Sequence, residues 1–346
     1  MTRPPFHRLR RGARTSGMRA RSARGAALLL AMLILVLVAT MSAGMVWLQY
    51  RGIEVESAER VRAQGEWLLN GAIDWSRLIL REDARQGGAD YVGEPWSLPL
   101  AETRLSTFLA SAGSGGGAQG PEADTGPDAF LSGQITDAQG LYNLQTLMQT
   151  GLTKQQIKDN MQGFERLCAA VGVPTDAADT ISSGLSMTAS TLNELDQDDP
   201  ASKADNNVLM PERAADLAWY GVDPKYVKLL EPFVDILPDT VPVNANTASV
   251  EVLMATVPGL NRGDAQRILA VRQSAPFKSV KDIQAALPPA LAASVSTYNL
   301  GFQSQFFEVS GQLRYEQHII RERTLIQRTG LNMNVIRRVR LSPVDQ

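Results

Sequence analysis

From Gly25 to Tyr50 the chain reads GAALLLAMLILVLVATMSAGMVWLQY, with no charged side chain between Arg24 and Arg51. A helix over these residues rises about 1.5 Å per residue and spans roughly 39 Å, more than the roughly 30 Å of a bilayer's hydrocarbon core. Whatever else the chain builds must therefore be compatible with a greasy rod near one end.

Charge divides along the same line. The formal net charge is −2, yet residues 1–24 carry eight arginines and no acid, so taking those eight positive charges from −2 leaves −10 for the rest. A basic arm beside an apolar span marks the cytoplasmic side, which places the acidic bulk across the membrane. An acidic exported part makes nucleic acid an improper default partner.

Enzyme classes find little support. Cys168 is the only cysteine, so the chain can form no internal disulfide and no thiolate metal site. The two histidines are His7 and His318, and no G-x-S-x-G turn accompanies either. A phosphate-cradling G-x-x-x-x-G-K-[ST] loop is absent too. The sequence reads as a non-enzyme.

Residues 1–50 admit three readings: a plain anchor, a secretory signal, or a leader cut on the cytoplasmic side before the apolar run. Val38–Ala43 lacks a clean A-x-A site. Arg24-Gly25 followed by Ala26-Ala27-Leu28 has the form of the third. Beyond Arg51, Val61, Gly65, Leu68, Ala72, Trp75 and Ile79 recur at helical spacing, so the helix is expected to continue and lay an amphipathic face on a domain.

Further along, Ser111–Pro127 is glycine-rich and reads as a loop. Ala129–Ile135 suits a strand, and Asp137-Ala138-Gln139-Gly140 a turn in which Gly140 takes positive φ. Residues 141–237 read as short helices, with a capping box at Thr153–Gln156 and a proline-opened helix at Asp223-Pro224. Asp196, Asp198 and Asp199 fall in an acidic stretch read as a loop before Pro200; such carboxylates can hold calcium, although a solvated acidic loop is the plainer reading. Val243–Leu287 is a helix-hairpin-helix-like unit, Thr247 or Asn246 capping its first helix and Val257-Pro258-Gly259-Leu260 turning it. Its charged residues give a net of only +2, which suits protein packing better than DNA. The period then changes: residues 306–313, 319–326 and 331–341 read as three antiparallel strands.

Taken in order, these pieces resemble the K-type minor pseudopilin of type II (general) secretion systems over essentially the whole chain. The residues that carry the resemblance are Arg24-Gly25 before the apolar helix, Ile135-Thr136-Asp137-Ala138-Gln139-Gly140 with Asn143-Leu144, and Leu237-Pro238 followed by Val243-Asn244-Ala245-Asn246-Thr247-Ala248. The resemblance implies an α+β fold. A long N-terminal helix, transmembrane and then amphipathic, packs on an antiparallel sheet, and a large all-α domain (SAM-like or helix-hairpin-helix-like) is inserted. It divides the chain into a basic leader (1–25), a transmembrane half-helix (26–50), the amphipathic helix with the first part of the head (51–140), the inserted domain (141–300, its second half 243–287) and the final strands (301–346).

It also implies cleavage between Gly25 and Ala26 by the prepilin peptidase and N-methylation of Ala26. The resemblance also sets an expectation at the fifth mature position, where most pilins have a glutamate that neutralises a neighbour's N-terminal amine; here that position is Leu30, and the K type is the member expected to lack the glutamate. The implied partners are the I- and J-type minor pseudopilins, the major pseudopilin and the inner-membrane assembly platform. The implied location is the inner membrane, single-pass, with the C-terminal domain in the periplasm. Calcium in the acidic segment belongs to the same set of implications, although this chain has Leu195-Asp196-Gln197-Asp198-Asp199 without the tryptophan that K-type proteins carry there. Two rivals share part of the pattern: a membrane-tethered helix-hairpin-helix DNA-binding protein of the competence type, and a minor type IV pilin. The terminal sheet opposes the first and the inserted helical domain the second.

Overall fold

The computed structural model describes residues 23–107, 129–149, 151–197, 209–315 and 318–341, the side chains of 23–24 and 193–197 excepted. Two units are described separately, residues 1–63 and residues 64–346.

In the first unit the described residues belong to helix α1, which runs Ala23–Gln86 and extends into the second unit. Its side chains from Gly25 to Arg60 are all exposed, Leu28, Leu33, Leu35 and Met41 among them at 65–68%. So large an apolar surface left bare by the chain itself calls for lipid or partner helices.

The second unit is built on a five-stranded antiparallel sheet ordered β1-β2-β7-β8-β9. The strands are β1 Leu100–Arg104, β2 Ala129–Asp137, β7 Phe306–Tyr315, β8 His318–Thr329 and β9 Asn332–Leu341. β2 and β7 pair without a break from Ala129↔Tyr315 to Asp137↔Phe307. Each strand alternates sides, so the sheet offers two faces to pack. On one face Ile135, Phe307, Val309 and Ile326 cluster with Ile73 and Leu80 of α1 and with Trp96. On the other, Phe306 and Leu325 meet Ala138 and Leu237.

The stripe of α1 that lies on the sheet is Gly65, Leu69, Ile73, Ser76 and Leu80. This is a correction: of the stripe expected from the periodicity (Val61, Gly65, Leu68, Ala72, Trp75 and Ile79) only Gly65 lies on the buried line, and the others are half-buried. The helix comes close to the sheet at Gly65, where an added Cβ would crowd the tips of the Ile320 and Leu313 side chains.

Between β2 and β7 the chain makes the inserted helical part. Its helices are α2 Gln145–Met148, α3 Lys154–Val171, α4 Thr175–Gln197, α5 Pro224–Leu230, α6 Val250–Thr256, α7 Arg262–Ser274, α8 Val280–Ala285 and α9 Pro289–Ala292, with a 3₁₀ segment at Ala214–Tyr220. Two parallel pairs tie them, β3 Tyr142–Asn143 with β4 Val234–Asp235, and β5 Val243–Asn244 with β6 Leu300–Gly301. A single core runs through the insert, with Phe164, Leu167, Ile181, Leu185, Leu217, Leu230, Leu253, Ile268 and Ile283 shut from solvent. Local chemistry starts these helices as the sequence predicts: Thr153 and Gln156 form a reciprocal capping box, Asp223 caps α5 ahead of Pro224, and Ser279 caps α8.

Two local expectations are corrected. Ser249, accepting from the Val252 amide, caps α6, while Thr247 and Asn246 are committed elsewhere. Gly140 is absent from the positive-φ glycines; its need is for smallness, since a Cβ there would lie 2.9 Å from Thr247 Oγ1.

Candidate assembly site

Four segments far apart in sequence meet where the sheet hands over to the insert. Asp137 ends β2, and its Oδ1 accepts the Gln139 amide at 2.8 Å. Its Oδ2 accepts from Asn244 Nδ2 at 2.8 Å, Thr247 Oγ1 at 2.6 Å and Ser304 Oγ at 2.6 Å. Asn244 belongs to β5, and Ser304 lies on the return path to β7, so one carboxylate holds the outgoing chain, the insert and the returning chain together. Burial lifts Asp137 to about 6, against the downward pull of these four hydrogen bonds.

The neighbouring side chains repeat the pattern. Gln139 donates to the Pro242 carbonyl at 2.9 Å and accepts the Gln305 amide at 2.5 Å. Asn143 accepts the amides of Gln145 and Leu237 and donates to the Asp239 carbonyl. Asn246 exchanges two bonds with the backbone of Phe277. The two motifs Ile135–Gly140 and Val243–Ala248 are thus the two halves of one joint, and their polar residues satisfy buried backbone that would otherwise be orphaned.

Beside the joint sits a charged cluster. Arg328 of β8 pairs with Asp83 of α1 at 2.8 Å and with Asp90 at 2.6 Å, and its guanidinium lies 4.8 Å from the centre of the Phe307 ring. Asp90 also accepts the Ser304 amide at 2.7 Å. Glu94 accepts from the Tyr91 amide and from Trp96 Nε1. Burial, with Glu94 and Asp90 nearby, raises Asp83 to about 6 in spite of Arg328, and burial raises Glu94 as well. The carboxylate oxygens of Asp83, Asp90 and Glu94 lie within 4.8 Å of one another, but the cation among them is Arg328.

A second guanidinium fastens the insert from the sheet's edge. Arg337 of β9 forms a fork on Asp235 at 2.9 and 3.2 Å and donates to the carbonyls of Ile236 and Glu212.

The residues singled out in the sequence lie elsewhere. Gly25, Ala26 and Leu30 fall in the first turns of α1, and Leu30 is 64% exposed. Asp196 lies near the end of helix α4 and not in a loop, because no proline interrupts the chain between Thr175 and Pro200. Its side chain, with Asp198 and Asp199, lies outside the described residues. Asp83, Asp90, Ser304, Arg328 and Arg337 escaped sequence reasoning: each is one polar residue in its own stretch, and only the fold assembles them.

A sheet carrying a long helix whose apolar half the chain leaves bare is an arrangement suited to a subunit that assembles through that helix. The comparisons agree. The family model described as "Type II secretion system (T2SS), protein K" matches residues 243–301. The type II secretion system protein K of Pseudomonas aeruginosa is 28% identical over 316 residues, covering 85% of each chain. That of Pectobacterium carotovorum subsp. carotovorum is 27% identical over 346 residues, covering 93% of this chain and 97% of the relative. A chain from the crystal structure of the GspK-GspI-GspJ complex of enterotoxigenic Escherichia coli shares the fold, with a TM-score of 0.58 and 18% identity over 82% of this chain and 99% of that one. Together these support a K-type minor pseudopilin with a role in type II secretion.

Proposed function

We propose that this chain is a non-enzymatic subunit at the tip of the type II secretion pseudopilus, where it nucleates assembly for the export of folded proteins across the outer membrane. Leu30 carries the reading. An unpaired amine in hydrocarbon is costly, and a subunit in the body of a filament would meet it with a glutamate at the fifth mature position. A subunit with leucine there fits where no such pairing is demanded, and the helical insert between β2 and β7 gives it a head too bulky to stack beneath another. The GspK-GspI-GspJ complex motivates I- and J-type minor pseudopilins as partners. The major pseudopilin, the inner-membrane assembly platform and processing by the prepilin peptidase complete the set, with the head in the periplasm. Nucleic acid has no part in this reading.

Two experiments test it. Coexpressed with the peptidase, the chain should lose residues 1–25 and begin at a methylated Ala26; an intact amino terminus removes it from the class. Gold labelling should find it at pseudopilus ends, and Leu30→Glu should spread it along the filament. Labelling along the shaft in the unaltered protein would dismiss the tip role while leaving the class intact.

A further inference from the structure

The Arg328 cluster does more than join two elements, because its charges do not balance. The charged residues lining the 520 Å³ cleft beside the joint are Asp83 from α1, Asp90 and Glu94 from the loop that follows, and Arg328 from β8: three carboxylates to one guanidinium. Behind them Ser304 connects this corner to Asp137, donating to that carboxylate while its own amide binds Asp90. Around Asp137 the contacts are uncharged, from Gln139, Asn244, Thr247 and Ser304. Three carboxylates thus share one cation in a half-dry corner, and Asp90 is nearly closed to solvent.

Two like charges at hydrogen-bond range in such a setting repel by several times what they would in water. The corner has two ways to shed that repulsion: to bind a proton, or to open and let water in. Opening is available because the cleft already admits solvent to Asp83 and Glu94, and because the pieces held are separate segments rather than one helix or strand.

We propose that this corner is a proton-operated clasp: with a proton shared among Asp83, Asp90 and Glu94 the chain returning from the insert is held at Ser304, and without it the hold of Asp90 on Ser304 loosens. The sign follows from the direction in which the groups titrate. Asp83 binds a proton more tightly in the folded chain, near 6, than in an unfolded one, near 3.8, and burial raises Glu94 in the same direction. The stability they add is complete below the unfolded value and is lost as pH rises through about 6. A clasp that releases near neutrality would let the insert shift against the head while both remain folded.

The test is amide hydrogen exchange on the full chain in detergent micelles with a chelator present, at pH 5.5 and 7.5 and corrected for intrinsic exchange. The amides of Ser304 and Ala245, which bind Asp90 and the Gly301 carbonyl, report the joint; amides in the middle of β8 report the sheet. Protection at Ser304 and Ala245 is expected to fall at least tenfold between the two pH values while β8 holds. Asp83→Asn and Glu94→Gln, which keep acceptors for Arg328 and Trp96, should each flatten that change. Equal protection at both pH values in the unaltered chain, or a variant that follows the unaltered profile, overturns the proposal.

Discussion

Asn244 reaches from the insert to Asp137 on the sheet, and its Nδ2 stands 2.8 Å from the Asp137 Oδ2 across 107 residues of chain. That side chain also serves the Asp90 carbonyl and Ser304 Oγ, and its own Oδ1 accepts the Asn246 amide. Removing it leaves a buried carboxylate and a buried carbonyl short of a donor. Asn244→Ala should destabilise the chain by about 2–3 kcal/mol, the range for stranding buried polar partners, as measured by chemical denaturation.

A second prediction concerns the helix on the sheet. Leu80 is fully buried among Trp96, Phe307 and Met333. Leu80→Ala should cost about 3 kcal/mol, and the exposed neighbour Leu78→Ala less than about 0.5 kcal/mol. Equal losses at the two positions would mean that the helix is rotated from the orientation described.

Glycine inside a helix usually invites replacement, since alanine is favoured by about 1 kcal/mol in a helix interior. Gly184 in α4 should defy this. A Cβ there would lie 2.5–2.9 Å from the Tyr220 ring, whose hydroxyl meets Thr188 Oγ1 at 3.0 Å. Gly184→Ala is expected to lower the melting temperature, because the ring has to leave its place.

Cys168 gives a chemical probe. Burial pushes its thiol up to about 12, and 1% of the residue is accessible. At pH 8 it should ignore a thiol-reactive dye in the native protein and react fully in denaturant. The rate of labelling then reads the opening of the insert's core.

The elements were legible in the sequence where local chemistry decides them. The apolar run, the capping box at Thr153, the Asp223-Pro224 start and the three closing strands all stand where their residues predict. The sheet's composition from early and late strands could be inferred too, although β1 at Leu100–Arg104 could not, being short and bulged against β2. The joint resisted in a more instructive way. Asp137, Asn143, Asn244 and Asn246 look like turn and cap formers, and the first three do bind nearby amides, but most of their hydrogen bonds reach partners dozens of residues away. Nothing near Arg328 or Ser304 in sequence announces that they complete the set.

The unbroken pairing of β2 with β7 makes the helical insert, for all its bulk, an overgrown hairpin loop. Its two ends emerge side by side at Asp137 and Phe307, and lengthening a loop between fixed ends adds only about 0.6 kcal/mol of closure entropy per doubling. Evolution was therefore free to enlarge, reshape or trade this lobe at little expense to the scaffold beneath it, so long as the few polar stitches at its neck were kept.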